Sequence, residues 1–219
     1  MAEELGRIEK PLVETFKRGR KIFFIPLVYK GRESPAEYLE KFERYWDQVE
    51  GQLADLEVRL GKVSKVYHEL VSSEGEEGVT EMERLNEGSY RVAKKRLAGG
   101  ARLEVLEDRE VLTEFMDWRR CLAIGLQNQK VFETVYQFYI EASKRRNESI
   151  SKRLNDTLKS DEIGILFMRE EHQVQFPAGI EVFYVSPPAL DELNRWLRDY
   201  ESRKAKESEA GQNNTARSE

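Results

Sequence analysis

The stretch that most constrains the fold is the apolar run inside Asp161–His172, whose sequence is DEIGILFMREEH. The segment Ile163–Met168 contains no charged side chain, is shorter than a typical helix, and has polar residues on both sides. Such a run is typical of a β-strand buried on both faces, as found in parallel sheets that are covered by helices. The charged segment Arg169–His172 follows directly. Charged residues in this position are usual at the carboxyl edge of an open α/β sheet, where ligands bind.

Other short apolar runs predict further strands, and amphipathic segments separate most of them. Including the first run, strands are expected over 22–29, 63–71, 101–106, 162–168 and 180–185. Between them, apolar residues recur at steps of three and four, which is the spacing of a helix with one buried face. The segment Ser34-Pro35-Ala36-Glu37 carries a strong helix-start signal, and Gly61 is a typical helix end. Further helices are expected over 80–97, 110–126, 128–158 and from Pro187 to about 200.

This alternation predicts a single α/β domain with a mainly parallel sheet of about five strands, flanked by long helices. The domain is expected to span 22–200, after a polar lead-in over 1–21. Residues 201–219 offer no large apolar side chain to bury and predict a disordered tail. Eleven residues separate the fourth and fifth predicted strands. That is short for a helical crossover, so an antiparallel pairing of these two strands also stays open.

Composition limits the classes of partner. The net charge of the 219 residues is -5, and 35% of the residues are charged. This balance argues against nucleic acid or an anionic membrane as the main partner, because both attract basic surfaces. The lone cysteine, Cys121, fits a reducing compartment, the charged N-terminus does not resemble a signal peptide, and no apolar stretch is long enough to span a bilayer. We therefore expect a soluble cytoplasmic protein.

Histidines and carboxylates gather where the predicted strands end. They are His68, Glu69, Glu107, Asp108, Glu170, Glu171 and His172. Imidazole and carboxylate groups together can bind Zn, Mn or Fe, or carry out general acid–base hydrolysis. We predict Glu69 and His172 as catalytic base or metal ligands, with Glu107 as a third metal ligand and Glu171 as an assisting group. A polar rim without function is the alternative, because charged residues collect in solvated loops.

Individual candidates have their own alternatives. His68 shares a strand face with Val66 and Leu70, so a core histidine bonded to the backbone is at least as well supported as a ligand. Cys121 has no histidine beside it and is expected to be a packed thiol. His172 is expected to be solvent-accessible, with its pKa raised above about 6.5 by neighbouring carboxylates if no metal is bound.

The order of these parts resembles the TraB/TIKI family, which is related to the erythromycin-esterase and ChaN-like proteins. The segment VYHEL places Glu69 on the family's glutamate, and EIGILFMREEH places His172 on the histidine of its second GxxH motif. Arg146-Asn147-Glu148 resembles the family's Arg-Asp/Asn step. The resemblance implies an α/β fold and a metal-dependent protease or esterase. However, no histidine follows the first strand, and Arg169 replaces the glycine of the second motif.

Two functions follow as hypotheses. The first is a hydrolase-like protein, active or degenerate, that acts on a small molecule or peptide through Glu69 and His172. Arg146 would bind an anionic group of the substrate, and a divalent metal is the cofactor left open. The second is a non-catalytic binding or assembly protein whose helices contact a partner or form a homodimer. Trp46, Trp118 and Trp196 lie on those helices, although packing in the protein's own core is favoured for most of them.

Overall fold

The structure is a computed structural model that describes residues 18–31 and 33–215. Its strands form one parallel sheet in the order β3-β2-β4-β1-β5. The strands are β1 (Arg20–Pro26), β2 (Lys65–His68), β3 (Arg102–Leu103), β4 (Ile163–Met168) and β5 (Ile180–Tyr184). The helices are α1 (Ala36–Leu60), α2 (Gly75–Leu85), α3 (Glu87–Ala98), α4 (Arg109–Ala123), α5 (Gln129–Thr157) and α6 (Pro188–Thr215). The predicted single-domain α/β fold is confirmed.

Strand β4 lies at the centre of the sheet, between β2 and β1, and all six of its residues are buried. Gly164 is required within it, because a Cβ atom there would come within 2.8 Å of the Tyr67 ring on β2. Side chains alternate between the two faces of a strand, so neighbouring residues of β1 and β4 supply two separate cores. The apolar run Ile163–Met168 is therefore buried on both faces of the sheet, as predicted.

Helices cover both faces of the sheet. One core packs Phe23 of β1 and Phe167 of β4 against the buried stripes of α1, α3 and α6. The other packs Phe24 of β1 against α5 and against Val174 in the connection between β4 and β5. Helix α4 packs along α5 through a contact between the Phe115 and Tyr139 rings. The two helices form a hairpin that meets the sheet near its carboxyl edge, where Arg146 of α5 contacts Glu107.

Two predictions for whole elements need correction. The fifth strand is parallel to its neighbour β1, so the antiparallel alternative is wrong. The connection 169–179 packs Val174 and Phe176 onto the sheet face beside α5, in place of a crossover helix. The single helix expected over 80–97 is two helices, because Asn86 accepts a hydrogen bond from Ser89 N at 3.0 Å and caps a new helix.

Both predicted domain boundaries also shift. Strand β1 begins at Arg20, and Lys21, expected in a solvated lead-in, is fully buried with its Nζ donating to the backbone oxygens of Arg18 and Gly19. Residues 1–17 of the predicted lead-in lie outside the described residues. Helix α6 continues past 200 to Thr215, through most of the predicted disordered tail, and 216–219 are not described. Among the described helices, none combines the length and the apolar character needed to cross a bilayer.

Candidate functional site

The carboxyl ends of three neighbouring strands place one polar side chain each at the same edge of the sheet. Tyr29 lies beyond β1, Glu69 directly after β2, and Arg169 directly after β4. The backbone N–H of Glu69 still donates to Phe167 O at 2.9 Å, which continues the β2–β4 ladder by one residue. The chain then turns at Leu70, whose φ is +68°. Glu69 is therefore fixed by the sheet rather than by a mobile loop.

The Glu69 carboxylate is buried and has three donors on one oxygen. Its Oε1 accepts hydrogen bonds from Arg169 Nε at 3.0 Å, from the Arg169 backbone N at 3.2 Å and from Tyr29 Oη at 3.3 Å. Its Oε2 lies 3.7 Å from Arg146 Nη2. Burial and the negative charge of Glu69 raise the pKa of Tyr29, so this phenol stays a neutral donor. Because Oε1 is saturated, Oε2 is the oxygen left with capacity for a ligand.

Arg146 and Glu107 form a buried ion pair beside Glu69. Arg146 Nε donates to Glu107 Oε2 at 3.0 Å, Nη2 donates to Oε1, and Glu107 Oε1 also accepts from the Leu70 backbone N. The guanidinium carbon lies 4.8 Å from the centre of the Phe115 ring. Burial acts to lower the pKa of Arg146, but its hydrogen bonds with Glu107 and the charges of Glu107 and Glu69 raise it overall. The arginine therefore remains charged while buried.

A cavity of about 380 Å³ opens beside this cluster, between the sheet edge and α5. Its charged and titratable lining residues are Glu69, Arg119, Arg146, Arg169, Glu171 and His172. Its apolar lining residues are Phe115, Tyr136, Tyr139, Ile140, Met168 and Val174. The structure thus brings three predicted site residues, Glu69, Arg146 and His172, into one cavity. Glu107 is one step removed from that cavity and reaches it through Arg146.

His172 differs from expectation. Its ring is half-buried, 4.9 Å from the Phe24 ring and 5.5 Å from the Phe176 ring, and burial lowers its pKa from the usual 6.5. The predicted rise of its pKa is wrong, because two aromatic rings lie beside it where carboxylates were expected. The ring lines the cavity, so the predicted solvent access is partial. Its Nδ1 accepts a hydrogen bond from Val174 N at 3.2 Å, so the neutral ring carries its proton on Nε2.

His68 is the core histidine of the two alternatives. It is fully buried, its Nδ1 donates to Glu69 O at 2.5 Å, and its Nε2 lies 3.0 Å from Ser89 Oγ. Burial lowers its pKa to about 4. Cys121 is a half-buried free thiol in α4. Trp46 and Trp196 are buried in the core, whereas Trp118 stacks on Phe138 on the α4–α5 hairpin.

The predicted metal ligands His172, Glu69 and Glu107 are engaged in other contacts. The two carboxylates face guanidinium groups, and the Nδ1 of His172 is taken by the backbone. In residues 18–31 and 33–215, no group of three or more His, Cys, Asp or Glu side chains is arranged to hold a metal ion. The residues of the site therefore do not fit a divalent metal.

Several residues of the site were not predicted from the sequence. Arg169 was placed at the sheet edge, directly after a buried strand, but was given no role. Tyr29 was included in the first predicted strand, 22–29, whereas it lies beyond the end of β1 at Pro26. Arg119, Tyr136 and Tyr139 belong to amphipathic helices and carried no sequence signal, because only the packing of α4 on α5 brings them to the cavity.

Comparisons with models of known protein families, with curated proteins and with solved structures find no match for this chain. The resemblance to the TraB/TIKI family therefore stays a prediction.

Proposed function

We propose that this chain is a hydrolase-like protein of the degenerate kind, which binds a small molecule or peptide in the cavity at the sheet's carboxyl edge. The observation that carries this proposal is the cluster of the buried Glu69, Glu107 and Arg146 with the half-buried Arg169, which lies beside a cavity. Buried charges are costly, and clusters of them beside a cavity are typical of functional sites. A polar rim without function would not require their burial.

The same contacts favour binding over metal-assisted cleavage. A carboxylate that ligates a metal must direct its lone pairs to the ion, whereas Glu69 Oε1 already accepts three hydrogen bonds and Glu107 faces Arg146. A histidine acting as base must present an unprotonated nitrogen to the substrate. The Nδ1 of His172 already accepts from the backbone, and its Nε2 is a donor. In a binding role, Glu69 Oε2 accepts a hydrogen bond from the ligand, and Arg169 and His172 donate hydrogen bonds to the ligand.

Two measurements on the purified full chain test this proposal. Metal analysis is expected to find no stoichiometric Zn, Mn or Fe, and p-nitrophenyl acetate and a casein digest assay are expected to show no turnover above that of Glu69→Gln. Stoichiometric metal that Glu69→Gln releases, or turnover that Glu69→Gln abolishes, would show that the site is a working hydrolase and would overturn the degenerate assignment.

A second candidate function is assembly through the outer end of the α4–α5 hairpin. Four large apolar side chains are exposed there: Ile124 (75%), Val131 (47%), Phe132 (39%) and Phe138 (44%). With Tyr136 and Ile140 they offer roughly 600 Å² of apolar surface, if a fully exposed side chain of this size presents about 150–250 Å². Each partner of a standard interface buries about 800 Å², and these side chains would supply most of that area.

The occupant that fits this surface is a second copy of the chain. Both signs of charge flank the surface along α5, with Lys130 and Lys144 close in sequence to Glu133 and Glu141, and a two-fold interface places the same surface on both partners. Sedimentation velocity is expected to show a dimer that Phe132→Ser converts to monomer. Val58→Ser is the matched control, since Val58 is 87% exposed on α1. A wild-type chain that is monomeric at all accessible concentrations would rule out this candidate.

A further inference from the structure

Several guanidinium N–H groups around the cavity lack a protein acceptor. Arg146 is buried, and its Nε and Nη2 bind Glu107, yet its Nη1 makes no hydrogen bond within the described part of the chain. Arg169 donates to Glu69 through its Nε and its backbone N only, so both of its Nη atoms lack an acceptor among the described residues. Arg119 makes no ion pair with any residue the structure describes. Donors of this type bind the oxygens of a carboxylate or phosphate in pairs.

The charges of the cluster are balanced, and unpaired donors remain. Glu69 and Glu107 balance Arg146 and Arg169. Arg119 and Glu171 also line the cavity, and both are exposed, so solvent screens both of these charges. His172 adds a neutral N–H donor. The inner end of the cavity is therefore rich in donors without being strongly cationic.

The rest of the cavity lining is largely apolar and aromatic. Phe132, Tyr136 and Ile140 follow each other at steps of four on α5, so they form one stripe along the helix. Tyr136 and Ile140 line the cavity beside Tyr139 and Phe115, and Phe132 extends the stripe outward. Such a wall contributes affinity by removing apolar ligand surface from water, and the polar groups at the inner end set the orientation.

We infer that the ligand of this cavity is a carboxylate that carries an aromatic or branched aliphatic group. The carboxylate binds the free guanidinium N–H groups of Arg119, Arg169 and Arg146, and the apolar group lies along Tyr136 and Ile140. This inference rests on the proposed binding function and adds the chemical class of the ligand. A free organic acid and the C-terminal carboxylate of a peptide share that chemistry.

The test uses four probes and the two histidines of the chain as reporters. The probes are 4-phenylbutyrate, its uncharged analogue 4-phenylbutanol, butyrate without a ring, and the dipeptide N-acetyl-Ala-Phe with a free carboxylate. NMR spectra of the histidine-labelled full chain follow each titration. His172 lines the cavity and is expected to shift, whereas His68 bonds to Ser89 in the other core and serves as the internal control.

Phenylbutyrate or the dipeptide is expected to bind about tenfold or more tightly than both phenylbutanol and butyrate, as charge-assisted hydrogen bonds and ring burial require. The tighter of the two acids identifies the source of the carboxylate. Arg119→Gln is expected to reduce the preference for the acid over the alcohol, because one of the three donors is lost. Arg120→Gln is the matched control, because Arg120 is the next residue of α4 but pairs with Asp117 at the exposed surface.

The outcomes separate the two proposals. Phenylbutanol binding as tightly as phenylbutyrate, with His172 shifting, would overturn the ligand class and leave the binding function intact. Equal effects of Arg119→Gln and Arg120→Gln on the acid would also overturn the class. If no probe shifts His172 in a saturable way, both the ligand class and the proposed function fail.

Discussion

Arg145 and Arg146 are consecutive residues of α5 in opposite surroundings. Arg145 is exposed and pairs with Glu114 of α4, whereas Arg146 is buried between Glu107, Glu69 and the Phe115 ring. An exposed pair contributes little to stability, because water screens both charges. A buried pair is different, because removing one partner leaves an uncompensated charge in the interior.

We predict that Arg146→Met lowers the free energy of unfolding by about 3–5 kcal/mol, the range for breaking a buried ion pair. Arg145→Met is the control and is expected to cost less than about 1 kcal/mol. Urea denaturation followed by circular dichroism measures both. Adding Glu107→Leu to Arg146→Met is expected to restore part of the loss, because it removes one of the stranded charges. Equal losses for the two single variants would show that the pair is not buried in solution.

The buried neutral His68 makes stability depend on pH. Burial lowers its pKa from 6.5 to about 4, so the unfolded chain binds a proton between these values and the folded chain does not. Stability is therefore lost as pH falls, by about 2 kcal/mol from this residue between pH 7 and pH 5. Urea denaturation at both pH values tests this, with His68→Gln expected to show the smaller loss. An NMR titration midpoint for His68 near 6.5 would contradict the prediction.

For single residues, the sequence indicated which side chains lie at the ends of strands, but it did not indicate which side chains contact each other. Glu69 and His172 could be placed at the sheet edge because each follows an apolar run in the sequence. The bond between Glu107 and Arg146 could not be foreseen, because it joins a loop to the middle of a helix many residues away. The direction of the His172 pKa shift was also wrong. The sequence places glutamates beside it, but the fold places Phe24 and Phe176 there.

Among the elements, α3 approaches α1 closely at one glycine. A Cβ atom on Gly88 would lie 2.1 Å from Trp46 Nε1, and the indole is fully buried. This contact lets the two helices meet over a bulky side chain. The start of a new helix at α3 could have been predicted from the sequence, because Asn86 is a good N-cap residue. The helical periodicity on either side of Asn86 obscured it.

We predict that Gly88→Ala destabilises the protein by about 1–3 kcal/mol, the usual cost of overpacking a core. Gly51→Ala is the matched control. Gly51 is exposed in α1 with nothing within 4 Å of a new Cβ atom, so alanine there is expected to stabilise the helix by about 0.5–1 kcal/mol. Thermal melts measure both variants. A neutral or stabilising Gly88→Ala would mean that α1 and α3 are farther apart than described.

For the whole molecule, α6 is anchored by its first half. Leu190, Leu193 and Trp196 are buried, and the Trp196 ring stacks on Tyr200 at 4.8 Å. Residues 201–204 and 206 are exposed. The prediction of a disordered tail was therefore wrong, because a helix that is anchored at its start can extend without a buried face. The absence of large apolar side chains was still a valid guide to exposure over these residues.

Truncation after Lys206 is expected to change Tm by less than about 2 °C, because the removed sequence 207–219 contains no large apolar side chain. Truncation after Glu192 removes Leu193 and Trp196 and is expected to lower Tm by about 10 °C or more. Differential scanning calorimetry compares both with the full chain. A large fall in Tm after truncation at Lys206 would show that the end of α6 makes stabilising contacts.

The strand order was the part of the fold that the sequence could not supply. Periodicity identifies each strand separately, but it contains no information about which strands are neighbours. In this sheet β4 pairs with both β1 and β2. Both strands come much earlier in the chain, since α4 and α5, among other elements, lie between β2 and β4. A ladder between β1 and β2 would have been the simplest guess, because consecutive strands are usually neighbours.

The central place of β4 has a consequence for the protein during its synthesis. Translation adds residues from the N-terminus, and β1 and β2 leave the ribosome long before the strand that joins them. Until Met168 has emerged, the edges of β1 and β2 that β4 later covers present unpaired backbone groups, which favour aggregation. We therefore expect a fragment of the chain that ends before β4 to be prone to aggregation.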